Sequence, residues 1–132
     1  MSKSIRLIQL LAPVAIASLV GCGEVTKIQE CTAVIDAVNK GQDVFKIDAD
    51  EKKMEEQAKK IEDFEKTVGE VKVTDPELKK HVDEYRDMVK EMAKVLRDVG
   101  KGDVATVEKR VDKIVEQESQ VVNKINGYCR RQ

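Results

Sequence analysis

The stretch Val73-Thr74-Asp75-Pro76-Glu77 marks the clearest boundary in the chain. Either Thr74 or Asp75 can serve as a helix N-cap, because a side-chain oxygen at that position accepts hydrogen bonds from the unpaired N–H groups of the first turn. Pro76 suits the first helical position, where its missing N–H has no partner to lose. The stretch therefore predicts a connection before residue 75 and a helix after it.

Two amphipathic patterns follow this boundary, in which apolar side chains recur at steps of three and four and so share one helix face. The first pattern consists of Leu78, Val82, Tyr85, Val89, Met92, Leu96 and Val99, and the second of Val104, Val107, Val111, Ile114, Glu118, Val121, Ile125 and Tyr128. The turn at 100–102 separates them, and Asp103 can cap the second helix. We expect helices over about 75–99 and 103–130.

The residues before the boundary carry two further helical patterns that are out of register with each other. The first consists of Val25, Ile28, Cys31, Ile35, Val38, Gln42 and Phe45, and the second of Ile47, Met54, Ala58, Ile61, Phe64, Val68 and Val71. The register slips around Asp48 and Asp50, either of which can cap a new helix. We therefore expect helices over about 24–46 and 50–70. One continuous helix over 24–70 is the alternative.

The fold class follows from these four patterns. No segment shows the apolar–polar alternation of a β-strand, so the chain is predicted to be all-α. Four helices of this kind, each about 30 to 42 Å long, alternate up, down, up, down in a bundle when their connections are short. A three-helix arrangement, in which one long first helix of roughly 70 Å replaces the first two, is the alternative.

The start of the chain has the composition of an export signal. A short basic segment with Lys3 and Arg6 precedes an apolar run over 10–20, as in cleaved signal sequences. The run is too short to span a bilayer as a helix, which takes about 20 apolar residues. We therefore expect residues 1–21 to be removed, which leaves one helical-bundle domain over 22–132.

Leu19, Val20, Gly21 and Cys22 close this signal and resemble the lipobox of bacterial lipoproteins. The resemblance implies that the Cys22 thiol receives a diacylglyceryl group and that Cys22 becomes the first residue. Two or more acyl chains give stable membrane anchoring, which a single chain does not. Gly23 stands where an aspartate commonly retains such proteins in the inner membrane, so the resemblance favours the outer membrane. A simple cleaved signal or an uncleaved anchor is the alternative.

Cys31 and Cys129 are the two cysteines that remain if Cys22 carries lipid. The export that the resemblance implies delivers the chain to an oxidising compartment, where paired cysteines form disulfides. We therefore expect a Cys31–Cys129 disulfide, with two free thiols as the alternative. A disulfide requires α-carbons within about 7 Å of each other, which the up-and-down bundle provides and a long first helix does not. The expected disulfide thus favours four helices.

The composition argues against catalysis and cofactors. Charged residues make up 37% of the chain and the formal net charge is −1, so there is no basic excess for nucleic acid. His81 is the single histidine, whereas a di-iron bundle needs two Glu-x-x-His motifs and c-type haem needs Cys-x-x-Cys-His. We expect no enzyme activity, no metal and no cofactor.

Two polar residues on the predicted seams, Gln42 and Glu118, have two interpretations. They can form a polar pocket inside the bundle. Alternatively, each reaches the edge of its helix, while Val115 and Val122 fill the core.

The body of the chain is similar to small all-helical lipoproteins of bacterial envelopes. We expect a lipid-anchored helical bundle that serves as a binding or structural module, with another envelope protein or a second copy of itself as partner. An exposed apolar stripe would indicate such a surface. The alternative is a periplasmic carrier that holds a small ligand or a lipid in a cavity between the helices.

Overall fold

Four α-helices dominate the residues that the computed structural model describes, which are 22–46, 50–102 and 104–131. They are α1 (Cys22–Val44), α2 (Met54–Gly69), α3 (Pro76–Gly100) and α4 (Val104–Arg130), and a short 3-10 turn, Glu51–Lys53, precedes α2. No strand occurs within those ranges. The prediction of an all-α fold with four helices is therefore confirmed.

α1 and α2 are separate helices that pack against each other. α1 ends at Val44 and α2 begins at Met54. The rings of Phe45 and Phe64 lie 5.6 Å apart, edge to face, so the chain folds back after α1. The alternative of one continuous helix over 24–70 is therefore wrong.

Of the predicted caps in the first half, Asp50 caps the 3-10 turn before α2 and not α2 itself, whose N-cap position is Lys53. The Oδ1 atom of Asp50 accepts a hydrogen bond from Lys52 N at 3.0 Å. Asp48, the other candidate there, and Asp103, the predicted cap of α4, lie outside the described residues.

α3 has the defined ends that its sequence predicts. Asp75 Oδ1 accepts hydrogen bonds from Glu77 N at 2.9 Å and from Leu78 N at 3.0 Å, and Pro76 occupies the first turn. Shortly after the helix ends, Gly102 adopts a φ of 89°, which favours glycine because a Cβ is crowded in that conformation. Local capping chemistry thus fixes both ends of α3.

α3 lies at the centre of the core and packs against both α2 and α4. Leu78, Tyr85 and Val89 on its inner face are at most 1% exposed. The neighbouring helices contribute fully or almost fully buried side chains opposite them: Ala58, Ile61 and Val68 from α2, and Ile114 and Ile125 from α4. Burial of apolar side chains, at about 25 cal/mol per Å², therefore holds these three helices together.

A disulfide between Cys31 and Cys129 joins the start of α1 to the end of α4. The two α-carbons are 5.7 Å apart although the residues are 98 positions apart in sequence. The disulfide prediction is confirmed, and the alternative of two free thiols is wrong. Because α1 also packs against α2 and α4, the four helices run up, down, up, down.

The face that α1 turns toward the bundle matches the predicted seam only in part, since Cys31 is buried as expected but the start of the seam is exposed. Val25 and Ile28, on the predicted seam, are 51% and 50% exposed. The buried residues of α1 are Glu30, Cys31, Val34, Ala37 and Gly41. Gly41 permits this register, because a Cβ there would lie 2.5 Å from Cζ of Phe64. The expectation that Val25 and Ile28 face the core is therefore wrong.

α1 covers only one half of the bundle. Its contacts along the α2 side begin near Glu30, which bonds to Thr74 beyond the end of α2, and finish at Phe45, which packs on Phe64 within α2. Since the two helices are antiparallel, residues 54–61 of α2 lie beyond the end of α1. We call the half that contains residues 22–45 the disulfide end, and the half in which α2, α3 and α4 extend past α1, with the 3-10 turn Glu51–Lys53 against α2 and α3, the three-helix end.

Candidate functional site

The residue predicted to carry lipid stands at the start of α1. Cys22 is the first residue of that helix, while Leu19, Val20 and Gly21 lie outside the described residues. Nine residues, or about 14 Å of helix, separate Cys22 from Cys31 of the disulfide. Within the described parts of the chain, no helix is both long enough and apolar enough to cross a bilayer.

A buried carboxylate secures α1 to the connection between α2 and α3. Glu30 is 7% exposed and accepts hydrogen bonds from Thr74 N at 2.8 Å, from the Thr74 hydroxyl and from Asp75 N at 3.3 Å. The Thr74 hydroxyl is the largest cause that holds the pKa of the Glu30 carboxyl below its ordinary value. Glu30 escapes sequence reasoning because its partners are 44 and 45 residues away.

The end of α4 is tied to the same place through Tyr128, which is 4% exposed. Its hydroxyl donates a hydrogen bond to Asp75, and burial together with that carboxylate raises the pKa of Tyr128 to about 12. Lys27 of α1 lies over the Tyr128 ring, with Nζ 4.5 Å from the centroid, a distance suited to cation–π attraction. The disulfide end thus combines one covalent bond with several polar contacts.

The one histidine lies at the edge of α3, as its position beside the apolar seam predicts. The His81 side chain is 13% exposed, and its two ring nitrogens each lie 3.9 Å from a carboxylate oxygen, of Glu77 and of Glu84. Among the described residues, no three side chains of the kinds that bind metals come together.

The predicted polar pair is split between different surroundings. Gln42 is exposed, and Glu118 is half-buried near Tyr85, where burial first and the Glu118 charge second raise the pKa of the Tyr85 phenol. Val122 packs against the core, as expected. Val115 is 56% exposed, so the expectation that it fills the core is wrong.

The apolar residues that are exposed against expectation belong to a surface of α1 and α4 that we call the uncharged face. It consists of Val25, Ile28, Thr32, Ile35 and Asn39 on α1, and Val111, Val115, Ser119, Val122 and Asn126 on α4. The steps of three and four place each set on one side of its helix. Ile35, Asn39, Val122 and Asn126 line the same small hollow of about 40 Å³, so the two sets lie side by side.

The uncharged face differs from the rest of the surface in its chemistry. None of its ten positions is charged, in a chain of which 37% is charged. Val25, Ile28 and Val115 are each at least half exposed, whereas the outer face of a solvated helix is ordinarily charged and polar. An exposed apolar surface with polar neighbours marks an interaction site.

The face is long and narrow. From the disulfide, Val111 lies 18 residues along α4, and Val25 lies six residues in the opposite direction along α1. At 1.5 Å per residue these distances are about 27 Å and about 9 Å, which together make a face of about 36 Å. It begins within one turn of Cys22 and extends toward the three-helix end.

A groove of about 510 Å³ between α3 and α4 has the opposite character. Carboxylates of α3 form one wall, and cations and glutamines of α4 form the other. Lys124 pairs with Glu84 at 2.7 Å, and Arg110 pairs with Glu91 at 2.7 Å. The groove is open to solvent and its charges are largely paired across it, which leaves the uncharged face as the candidate interaction surface.

Comparison of the chain with protein-family models, with curated proteins and with solved structures finds no match. The function therefore has to be inferred from the residues and contacts described above.

Proposed function

We propose that this protein is a lipid-anchored helical bundle of the bacterial cell envelope, with the outer membrane favoured over the inner membrane, and that it acts as a non-catalytic binding or structural module. The acyl chains would be attached to Cys22. The partner would be an envelope protein or a second copy of the chain. The lipobox-like Leu19, Val20, Gly21 and Cys22, at the end of an export-type signal, support the anchor.

The single observation that carries the proposal is the position of the disulfide relative to Cys22. α1 is continuous from Cys22 to Cys31, so a lipid on Cys22 would hold the bundle about 14 Å away through a rigid helix. The Cys31–Cys129 bond and the Glu30 contacts then connect that helix to the remaining three. A force on the anchor would be transmitted to the whole bundle rather than to a loose tether.

The binding role is supported by the uncharged face. It lies on the lateral surface of the bundle and starts next to the proposed anchor, so it would be presented close to the membrane. Its Val, Ile, Thr and Asn side chains suit contact with another helical surface rather than with a strongly charged ligand.

The anchor is tested by substituting Cys22→Ser in the full chain and following membrane fractionation and incorporation of labelled fatty acid. We expect the wild-type chain to be labelled and to sediment with outer membranes, and the variant to lose both properties. A matched control, Cys31→Ala with Cys129→Ala, removes the disulfide but keeps Cys22, and should remain labelled. Equal labelling of wild type and Cys22→Ser would contradict the proposal.

A second candidate, a carrier of a small ligand, is favoured by the groove between α3 and α4, whose volume of about 510 Å³ lies in the usual range for ligand sites. Its charged walls suit a polar molecule rather than a lipid. Native mass spectrometry of the protein released gently from envelopes would show a bound molecule if the groove is a carrier site. A spectrum that shows only the mass of the protein without a bound molecule would contradict the carrier role.

A further inference from the structure

We propose that the uncharged face is the contact through which two copies of this chain form a parallel dimer with twofold symmetry. The inference deepens the proposed function by naming the partner, and it rests on that function for the common orientation of the two copies. Its basis is the charge, the layout and the size of the face.

The charge of the face favours a second copy. A twofold contact brings the same patch of both subunits together, so any charge in the patch would meet its own kind. The ten positions of the face carry no charge, which removes that repulsion. A partner selected by charge would instead be offered complementary charges, as α3 and α4 offer each other across their groove.

The layout of the face also fits a twofold axis along the bundle. The α1 and α4 sets overlap only around the hollow that Ile35 and Val122 line. From there the α1 set continues toward Cys22, and the α4 set continues toward the three-helix end. An axis that runs along the α1–α4 groove lets Ile28 meet its counterpart at one end and Val115 meet its counterpart at the other.

Two asparagines in the middle of the face would set the register of such a contact. Asn39 and Asn126 border the shared hollow and are flanked by the apolar residues of both sets. An asparagine within an apolar helical seam specifies alignment and partner number, because a shifted arrangement leaves its amide without hydrogen bonds. The amides of two copies can pair across the axis.

The size of the face predicts a dimer that depends on the membrane. The face is about 36 Å long and one helix, or roughly 10 Å, wide. A contact of that size buries on the order of 400 Å² per copy. A standard interface buries roughly 800 Å² per partner, which is twice as much. Such a contact is weak between free molecules. Two copies anchored in one membrane share an orientation and a high effective concentration, which strengthens a weak contact without adding any new one.

A bilayer is a less suitable occupant for this face. Helices that lie on membranes combine large apolar side chains with a basic flank. Here the apolar residues alternate with Thr32, Ser119 and the two asparagines, and acidic residues such as Asp36 and Glu116 lie close by in sequence. This mixture of small, β-branched and amide side chains suits contact with another helix better than contact with lipid.

Site-directed crosslinking in intact envelopes tests the dimer. The full chain with its own signal would carry Val115→Cys, in the face, or Glu116→Cys, the next residue and outside the face, and would be treated with a short bis-maleimide. We expect Val115→Cys to give a covalent product with twice the subunit mass, at least tenfold more abundant than the product from Glu116→Cys. Circular dichroism would verify that both variants are folded.

A second substitution tests whether the whole face takes part. Adding Ile28→Asp to Val115→Cys places two like charges against each other at the far end of the contact, and should lower the yield of the crosslinked dimer at least fivefold. The matched control Lys113→Asp, in the α3–α4 groove, should leave the yield unchanged.

The dimer would be overturned by equal yields from Val115→Cys and Glu116→Cys, or by a crosslinked product with the mass of a different protein. It would also be overturned if the Cys22→Ser chain bound lipid vesicles and Val115→Asp abolished that binding. That last result would assign the face to lipid. A labelled, membrane-bound chain without a crosslink would refute the dimer and leave the proposed anchor standing. A crosslinked dimer of a chain that carries no lipid would refute the anchor and the membrane dependence of the dimer, but not the contact itself.

Discussion

The two ends of the bundle are held together by different kinds of interaction. At the disulfide end, the Cys31–Cys129 bond, the Glu30 carboxylate and the Tyr128 hydroxyl attach α1 to its neighbours. These contacts are covalent or polar, and each joins parts of the chain that are distant in sequence.

At the three-helix end, an apolar core is surrounded by ion pairs. Arg97 of α3 binds Glu55 and Glu62 of α2, and Arg110 of α4 binds Glu91 of α3. The arginine side chains are 28% exposed, and partly exposed ion pairs contribute little to stability. Apolar burial therefore provides most of the stability there.

α1 is therefore attached to a unit that does not depend on it for its core. α1 buries few large apolar side chains, whereas α3 buries most of one face against α2 and α4. Loss of the disulfide should therefore loosen α1 first, and loss of core volume should destabilise α2, α3 and α4 together.

Replacing both disulfide cysteines, Cys31→Ala with Cys129→Ala, should lower the free energy of unfolding by up to about 4–5 kcal/mol, because the bond closes a very long loop in the unfolded chain. Chemical denaturation of the two proteins measures the difference. Wild-type protein in reductant serves as control and should show a similar loss. Unchanged stability of both the variant and the reduced wild-type protein would show that the disulfide does not stabilise the fold.

Truncating a core side chain at the three-helix end, Ile61→Ala, should cost about 3 kcal/mol within a usual range of 2–5. Ile61 is fully buried, and the substitution leaves a cavity between α2 and α3. The control Ile28→Ala removes a half-exposed side chain and should change stability by less than about 0.5 kcal/mol. Equal denaturation midpoints for the two variants would contradict the difference in burial between Ile61 and Ile28.

The packing of α1 on α2 is tested by Gly41→Ala. The added methyl group would overlap the Phe64 ring, so we expect a loss of about 1–3 kcal/mol in thermal or chemical unfolding. Gly127→Ala on α4 is the matched control, because nothing lies within 4 Å of its position, and alanine there should stabilise the helix by up to about 1 kcal/mol. A gain of stability from both substitutions would show that α1 does not approach α2 this closely.

The Glu30 contacts make stability depend on pH. Because the folded pKa of Glu30 is lowered from its ordinary 4.5, its contribution is fully present above about pH 5 and is lost as pH falls through the folded value. Glu30→Gln should lower the free energy of unfolding by about 1–2 kcal/mol at neutral pH. The difference between wild type and variant should shrink below about pH 4.

The matched control for that measurement is Arg97→Gln at the three-helix end. Its ion pairs are exposed to solvent, so its effect should be small and should decrease further as salt is added. The Glu30→Gln effect should persist in salt, because Glu30 is buried. If salt instead weakened the Glu30→Gln effect and left the Arg97→Gln effect unchanged, the proposed difference between the two ends would be wrong.

The helices and their ends could be predicted because the signals that set them are local. Asp75 caps the start of α3 through hydrogen bonds within three residues, and Pro76 occupies its first turn. The apolar residues of α3 recur regularly enough to define one face. The cysteine pairing could be predicted from the number of cysteines and the expected compartment. None of these inferences required knowledge of distant contacts.

The orientation of α1 could not be predicted, because distant contacts set it. Its true inner face includes Glu30 and Gly41, neither of which is apolar enough to signal burial, and their partners Thr74 and Phe64 lie far along the chain. The apolar residues that suggest a core seam, such as Ile28, lie on the surface instead. The uncharged face is therefore visible only once the fold is known.

Hydrogen exchange of the protein, measured helix by helix before and after reduction of the disulfide, is the most direct test of the division between α1 and the rest. We expect reduction to raise the exchange rates of α1 amides at least tenfold and to leave them above those of the central amides of α3, around Tyr85 and Val89, which exchange only through global unfolding. Equal protection of α1 and α3 after reduction, or no change in α1, would contradict this division.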